Sequence, residues 1–294
     1  MARLGSPTAR TIAGVDTSPD LPLPLHEVSE FDVDTAVSAA GNGRYNAVIS
    51  DRWDIVGVPN GGYTLAVAVC ALAEALPQPD PLTVTGHFLR PASHGPAGID
   101  VDLVRSGRST ATGQASLTQD GRPRLQVLAA FGDLAARNGP THLSSGPPRL
   151  PPPDECVDLR GELAREMGAL TDRLDMRFLP DTPGWAHGTP SGSARLSAWL
   201  RLADGRQPDV LALLLLVDCF PPPIFELGVR GWIPTIELTC HVRARPAPGW
   251  LRCAVRTRFV QDGLLDEEIE VWDADDRLVA LARQLALVPP AADG

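Results

Sequence analysis

Two pairs of segments in this chain repeat each other at a single spacing, and that limits the folds open to it. PLTVTGHFLRPA (Pro81 to Ala92) parallels PTIELTCHVRARPA (Pro234 to Ala247); each is a strand-like run ending in a basic residue and Pro-Ala. Setting His87 on His241 gives an offset of 241 − 87 = 154. LTQDGRPRLQVLAAF (Leu117 to Phe131) parallels VWDADDRLVALARQL (Val271 to Leu285), and Asp120 on Asp275 gives 275 − 120 = 155. Two separate segments with one offset indicate internal duplication. Between them each half carries another long strand candidate, AGIDVDLVRSGR in the first and WLRCAVRTRFVQDG in the second.

Each half also has an apolar helix candidate ahead of its strands. The first is NGGYTLAVAVCALAEAL (Asn60 to Leu76), opened by Asn and two glycines and closed before Pro77. The second is QPDVLALLLLVDCF (Gln207 to Phe220), stopped by Pro221, Pro222 and Pro223. Both are apolar nearly all round, so each is expected to be buried and wrapped by its own antiparallel sheet. The join is the Pro/Ser/Gly-rich stretch containing NGPTHLSSGPPRLPPP. The expected organisation is α+β: a first unit over 26–134, a linker over 135–170 and a second unit over 171–290.

Composition narrows the chemistry. With 294 residues, 44% of them hydrophobic, the chain is long enough for a sizeable core. The N-terminal MARLGSPTARTIAGVDTSPD lacks a signal-peptide core, and the longest apolar run, VLALLLLV, is far too short to span a membrane. A soluble cytoplasmic protein, with no membrane partner, is expected. The net charge of −10 argues against nucleic-acid binding. There is no lysine, which excludes Schiff-base chemistry and a Walker lysine. The five cysteines are scattered without a CxxC spacing and read as reduced thiols; the six histidines have no metal-ligand spacing. No GxSxG, GxGxxG or HExxH occurs. No metal and no cofactor is expected.

The final strand candidate raises a specific question. In DDRLVALARQLALV, residues Leu278, Ala280, Ala282, Gln284, Ala286 and Val288 share one face. An amide on an alanine-rich face needs partners, because burying one without them costs roughly 1–3 kcal/mol. Gln284 is either structurally satisfied or holds something.

The motifs GVPNGGY (Gly57 to Tyr63), HFLRP (His87 to Pro91), RSGRST (Arg105 to Thr110), QDGL (Gln261 to Leu264) and LVALARQ (Leu278 to Gln284) resemble the acyl-CoA thioesterase II family, over about residues 30–288. The resemblance implies a double hotdog, two tandem repeats of a long helix wrapped by an antiparallel sheet. It implies an Asp, a Thr and a Gln around one water: here Asp218 in LLLLVDCF, Thr235 in GWIPTIEL and Gln284 in LARQLAL. The first half lacks equivalents, with Pro81 opposite Thr235 and an alanine or Phe131 opposite Gln284. One site per chain is therefore implied, and the substrate is an acyl-CoA or an acyl-carrier-protein thioester.

These residue types suit thioester hydrolysis, which needs a held water, a proton acceptor and donors for an oxyanion. Partial burial should raise the pKa of Asp218 and make it a better base. The helix start Asn60, Gly61, Gly62 and Tyr63 is the candidate oxyanion and substrate-binding element. Arg90, Arg105, Arg108 and Arg245 are candidates for coenzyme A phosphates, or equally solvated strand-end charges. His87 and His241 are tempting bases, but both halves keep them while only one keeps the triad, which argues for structure. The alternatives are a hotdog hydratase, dehydratase or acyl-transfer enzyme of secondary metabolism, and a non-catalytic acyl-thioester-binding module. A homo-oligomer is expected, since such sheets leave surface to bury.

Overall fold

The computed structural model describes residues 28–180 and 182–288. The Met1–Asp20 segment and the expected unit limits at 26 and 290 lie outside the described residues. In chain order the elements are α1 (Glu30–Thr35), β1 (Ser38–Gly41), β2 (Arg44–Ile49), β3 (Asp54–Ile55), β4 (Val58–Pro59), α2 (Gly61–Ala75), β5 (Asp80–Phe88), β6 (Gly95–Ser106), β7 (Ala111–Gln119) and β8 (Arg122–Gly132). There follow β9 (Val157–Asp158), α3 (Arg160–Met167), β10 (Leu174–Phe178), β11 (Arg195–Leu202), α4 (Ala212–Leu216), β12 (Thr235–Val242), β13 (Leu251–Arg256), β14 (Val260–Gln261), β15 (Leu264–Trp272) and β16 (Leu278–Leu287). The segment expected as a linker contains no strand before Val157 and then supplies β9 and α3.

All but β3 and β4 join one 14-stranded sheet, ordered β1-β2-β6-β7-β8-β5-β12-β16-β15-β13-β11-β10-β9, with β14 on β15. Read outward from the central β5–β12 pair, the two halves run β5-β8-β7-β6-β2-β1 and β12-β16-β15-β13-β11-β10. The order is the same on both sides, as a duplicated antiparallel unit requires. The repeated strands pair with each other, Thr85 opposite Thr239, and the two hydroxyl oxygens lie 2.9 Å apart. Since 239 − 85 = 154, these two residues are equivalent in the repeat, so the local two-fold passes between them. The fold is a double hotdog of α+β class, as expected.

The two helices differ more than their sequences suggest. α2 is 15 residues long, capped by Asn60, whose Oδ1 accepts from the Tyr63 amide at 2.9 Å. It lies on β5–β8, and its residues from Gly62 to Val69 are buried without exception. Gly86 and Gly113 let it approach: a Cβ there would lie 2.8 Å from Leu65 Cδ1 and 2.9 Å from Leu72 Cδ2. The second helix, α4, has only five residues instead of the expected Gln207–Phe220 run. Asp209 Oδ1 takes the Leu211 and Ala212 amides at 3.1 and 2.7 Å and fixes a late start. At its end the Asp218 amide bonds Leu215 O at 3.0 Å, a tight i→i+3 turn, and Pro221 to Pro223 forbid continuation.

Among the described residues no helix is long and apolar enough to cross a membrane. All five cysteines are free thiols, and four of them are buried.

Candidate active site

The tight end of α4 delivers Asp218 to the start of α2, across the boundary between the halves. Asp218 Oδ2 accepts from the Gly62 amide at 2.7 Å and from Asn60 Nδ2 at 3.2 Å. Asn60 Nδ2 also donates to the Asp218 carbonyl at 2.8 Å. A Cβ on Gly62 would sit 2.6 Å from Leu214 O and 2.8 Å from Asp218 Cβ, so only glycine fits. The carboxyl is enveloped by protein while the residue keeps part of its surface open. Burial raises its pKa to about 6, and the Gly62 and Asn60 donors limit the rise.

The second cluster stands on β12, β15 and β16. Register alone would turn Thr235 away from the core, because Leu238, Cys240 and Val242 are the buried residues of β12. A bulge between Thr235 and Glu237 resets the parity and sets Thr235 opposite Ala286, on the face that carries Gln284. Thr235 Oγ1 donates to Gln284 Oε1 at 2.5 Å. Gln284 Nε2 donates to Glu267 Oε1 at 2.9 Å. Glu267 is buried, and burial together with the charges of Asp218 and Asp266 pushes its pKa up to about 8, against the lowering effect of the Gln284 bond. Burial thus raises the pKa of both carboxyls, that of Glu267 further than that of Asp218.

Not every candidate belongs to this constellation. Asn60, Gly61 and Gly62 do, and two of the amides there are already engaged: the Gly62 amide by Asp218 and the Tyr63 amide by Asn60. That leaves the Gly61 amide as the one in the first turn with no partner among the described residues. Tyr63 is wholly buried; its hydroxyl donates to Asp34 O at 2.9 Å and accepts from the Ser50 amide at 3.0 Å. Its side chain thus ties α2 to the N-terminal segment.

The four arginines are not brought together. Pairing of β5 with β12 puts Thr235 toward the Phe88 end of β5. Arg90 follows that end and donates to Pro123 O at 3.1 Å. Arg245 pairs with buried Asp80 at the other end, at 2.9 Å, about 26 Å away by strand rise. Arg105 and Arg108 flank the β6–β7 turn, which Gln78 joins to that same far end through Gly107 O at 3.0 Å. Sequence alone had no means of assigning ends to strands. His87 and His241 are both exposed, opposite Glu237 and Thr83, on the outer side of the sheet.

Glu267 was missed, although its signal was legible. In LLDEEIEVW the buried residues Leu265, Ile269 and Val271 alternate, and Glu267 occupies the same face. It is the same anomaly as Gln284, one strand over, and the two stand opposite each other in the ladder.

Comparison with known proteins decides the family. Residues 49–132 match the acyl-CoA thioesterase N-terminal domain and residues 153–288 the acyl-CoA thioesterase C-terminal domain. A proposed thioesterase II from Thermobifida fusca YX is 34% identical with a TM-score of 0.81, the likeness covering 88% of this chain and 97% of that one. The chain belongs to the acyl-CoA thioesterase family. Like that family, it is a thioester hydrolase. A hotdog-fold protein from Alicyclobacillus acidocaldarius, described as of unknown function, is 25% identical with a TM-score of 0.81, covering 90% of this chain and 100% of that one. The thioesterase-like protein TwmA of Talaromyces wortmannii is 27% identical, over 83% of this chain and 87% of its own length.

Proposed function

We propose that this thioesterase hydrolyses an acyl-CoA thioester to the free acid and coenzyme A, with a water held between Asp218, Thr235 and Gln284. Asp218 is the general base. At a pKa near 6 it is ionised at neutral pH, yet basic enough to take a proton from the attacking water. The water oxygen bonds to the carbonyl carbon as its proton passes to Asp218. The tetrahedral intermediate then collapses, the C–S bond breaks, and the proton on Asp218 goes to the departing thiolate. Products are the acid and the thiol, and no other reactant is consumed.

Gln284 orients the water with the Nε2 hydrogen that Glu267 does not use, and Thr235 fixes the other end of that amide. The Gly61 amide at the start of α2 is the oxyanion donor in this reading, since the helix end carries partial positive charge. The observation that carries it is the seat of the carboxyl: at the end of α4, Asp218 Oδ2 accepts from the Gly62 amide at 2.7 Å and from Asn60 Nδ2 at 3.2 Å, while burial raises its pKa to about 6.

The test is thiol release from a panel of acyl-CoAs, short, long and aromatic, by the parent and by Asp218→Asn and Gln284→Ala. Turnover by the parent, lost in Asp218→Asn, is the expected result. A parent that releases no thiol from any member, while binding one, is instead an acyl-thioester-binding module.

A further inference from the structure

The mechanism above uses Gln284 as a fixed amide, but nothing on β16 fixes it. Both neighbours on its own face are alanines, Ala282 and Ala286, which offer shape and no hydrogen bonds. Thr235 does not select an orientation either, because a hydroxyl both donates and accepts. Turned over, the amide would still bond Thr235, but its N–H would be spent there and its oxygen would face the water. Among the described residues the one other polar partner is Glu267, bonded from Nε2 to Oε1 at 2.9 Å; as a carboxylate it can only accept, so its ionised form takes the N–H and rejects a turned amide.

Several observations separate this bond from ordinary surface pairing. Glu267 is only 5% exposed, and its side chain's one hydrogen bond among the described residues is the one from Gln284. Among those residues it pairs with no arginine, whereas its neighbour Glu268 bonds both Arg256 and Arg258 on the other face. The repeat supplies a control. Gln284 pairs with Leu238 and Glu267 with Gln284; at the offset 238 − 84 = 154 the first half has Val84, Ala129 and Gly113 in those places. The half without the glutamine is also without the glutamate. The sheet therefore folds at this position without either group, and the two polar residues occur as a pair.

We propose that Glu267 is a positioning residue of the thioesterase site, holding the Gln284 amide with Oε1 toward Thr235 and one N–H free for the attacking water. The inference rests on the hydrolytic reading of Asp218, Thr235 and Gln284. Glu267 itself touches neither substrate nor water. The titratable groups that act on it or share its surroundings are Asp218 and Cys219 after α4 and Asp266 on its own strand.

Kinetics and side-chain NMR of the unmodified full chain and its variants test this. Glu267→Ala should lower kcat by ten- to a hundredfold with KM within about twofold. In the Gln284→Ala background the same change should cost nothing further, since a residue acting through Gln284 has nothing left to position. Glu267→Gln should recover part of the turnover lost in Glu267→Ala, because its side-chain carbonyl can accept the same N–H. The Gln284 side-chain amide resonance of the parent should titrate with pH, and that titration should vanish in Glu267→Gln. A Glu267→Ala enzyme with unchanged kcat, equal losses in both backgrounds, or a pH-independent Gln284 resonance overturns the proposal. If Glu267→Ala does not fold, Glu267→Gln and the resonance still decide it. A parent that hydrolyses no thioester overturns the hydrolytic reading instead, and the resonance then tests the Glu267–Gln284 link alone.

Discussion

The two halves share strand order, offset and even a bulge, yet only one carries the Asp218, Thr235, Glu267 and Gln284 set proposed above as the site. The bulge between Thr235 and Glu237 has its counterpart between Pro81 and Thr83, and Thr235 opposite Ala286 corresponds to Pro81 opposite Phe131. What differs is what lies over the sheet. In the first half the 15-residue α2 reaches across it, and Leu72 and Leu76 close over Gly113. In the second half the five-residue α4 stops early, and the corresponding place on β15 holds Glu267. A long apolar helix fills its half to close packing, and a polar residue there would meet only hydrocarbon. A truncated helix leaves its end, and with it the part-buried Asp218, against the start of α2. The second half alone is still incomplete, because the donors that hold Asp218 come from the first turn of α2. The two halves thus contribute different parts: one a packed support and a helix start, the other the carboxyls of Asp218 and Glu267.

The sharpest way to break this contrast is to remove the base. Asp218→Asn should lower kcat by about 10²- to 10⁴-fold, the usual worth of a positioned general base, without lowering the melting temperature; thiol-release assays and calorimetry measure both. A smaller but still large effect is expected from copying the second half onto the first. Gly113→Glu with Ala129→Gln should destabilise the protein by about 2–4 kcal/mol in urea unfolding, because the added Cβ meets Leu72 Cδ2 at 2.9 Å and the carboxyl has no donor. It should confer no second site. Gly62→Ala attacks the seam. Its methyl would press on Leu214 O and on Asp218, costing about 1–3 kcal/mol and displacing the base, seen as a lower unfolding midpoint and reduced kcat.

A pH series compares the two carboxyls. Activity should fall as pH drops through about 6, where Asp218 takes up its proton. Stability should move the other way. Both folded pKa values, about 6 for Asp218 and about 8 for Glu267, lie above the ordinary carboxyl range. The folded state therefore binds these protons more tightly than the unfolded chain, and that contribution is complete below about pH 4 and is lost as pH rises through about 6 and about 8. Glu267→Gln should accordingly raise the melting temperature relative to the parent more at pH 9 than at pH 4. An equal change at both would show that Glu267 is not buried as a charge. The smallest effect belongs to the two-fold itself: Thr85→Val removes the hydroxyl pair with Thr239 and should cost about 1 kcal/mol in urea unfolding, with kcat unchanged.

Much of the architecture was legible beforehand, because it depends on periodicity. The repeat offset, the α2 boundaries at Asn60 and Leu76, and the alanine face of β16 all follow from local rules of capping, turn and alternation. The triad candidates were named through family resemblance, and Gln284 also announced itself as an amide on an apolar face. What sequence could not supply was distance. Antiparallel pairing sent Arg90 and Arg245 to opposite ends of β5. The long second helix failed because a capping aspartate and a tight last turn outcompeted a good apolar run.

The sequence by itself determined that this protein is two copies of one sheet-and-helix unit, since a two-residue strand period and a shared offset survive without any knowledge of contacts. Only the tertiary structure decided which way the α2 amides are used and that Glu267 stands behind Gln284. Those facts depend on register and on which chain segment fills the space above the sheet. A one-residue bulge at Thr235, invisible to alternation, turns that side chain onto the face that carries Gln284.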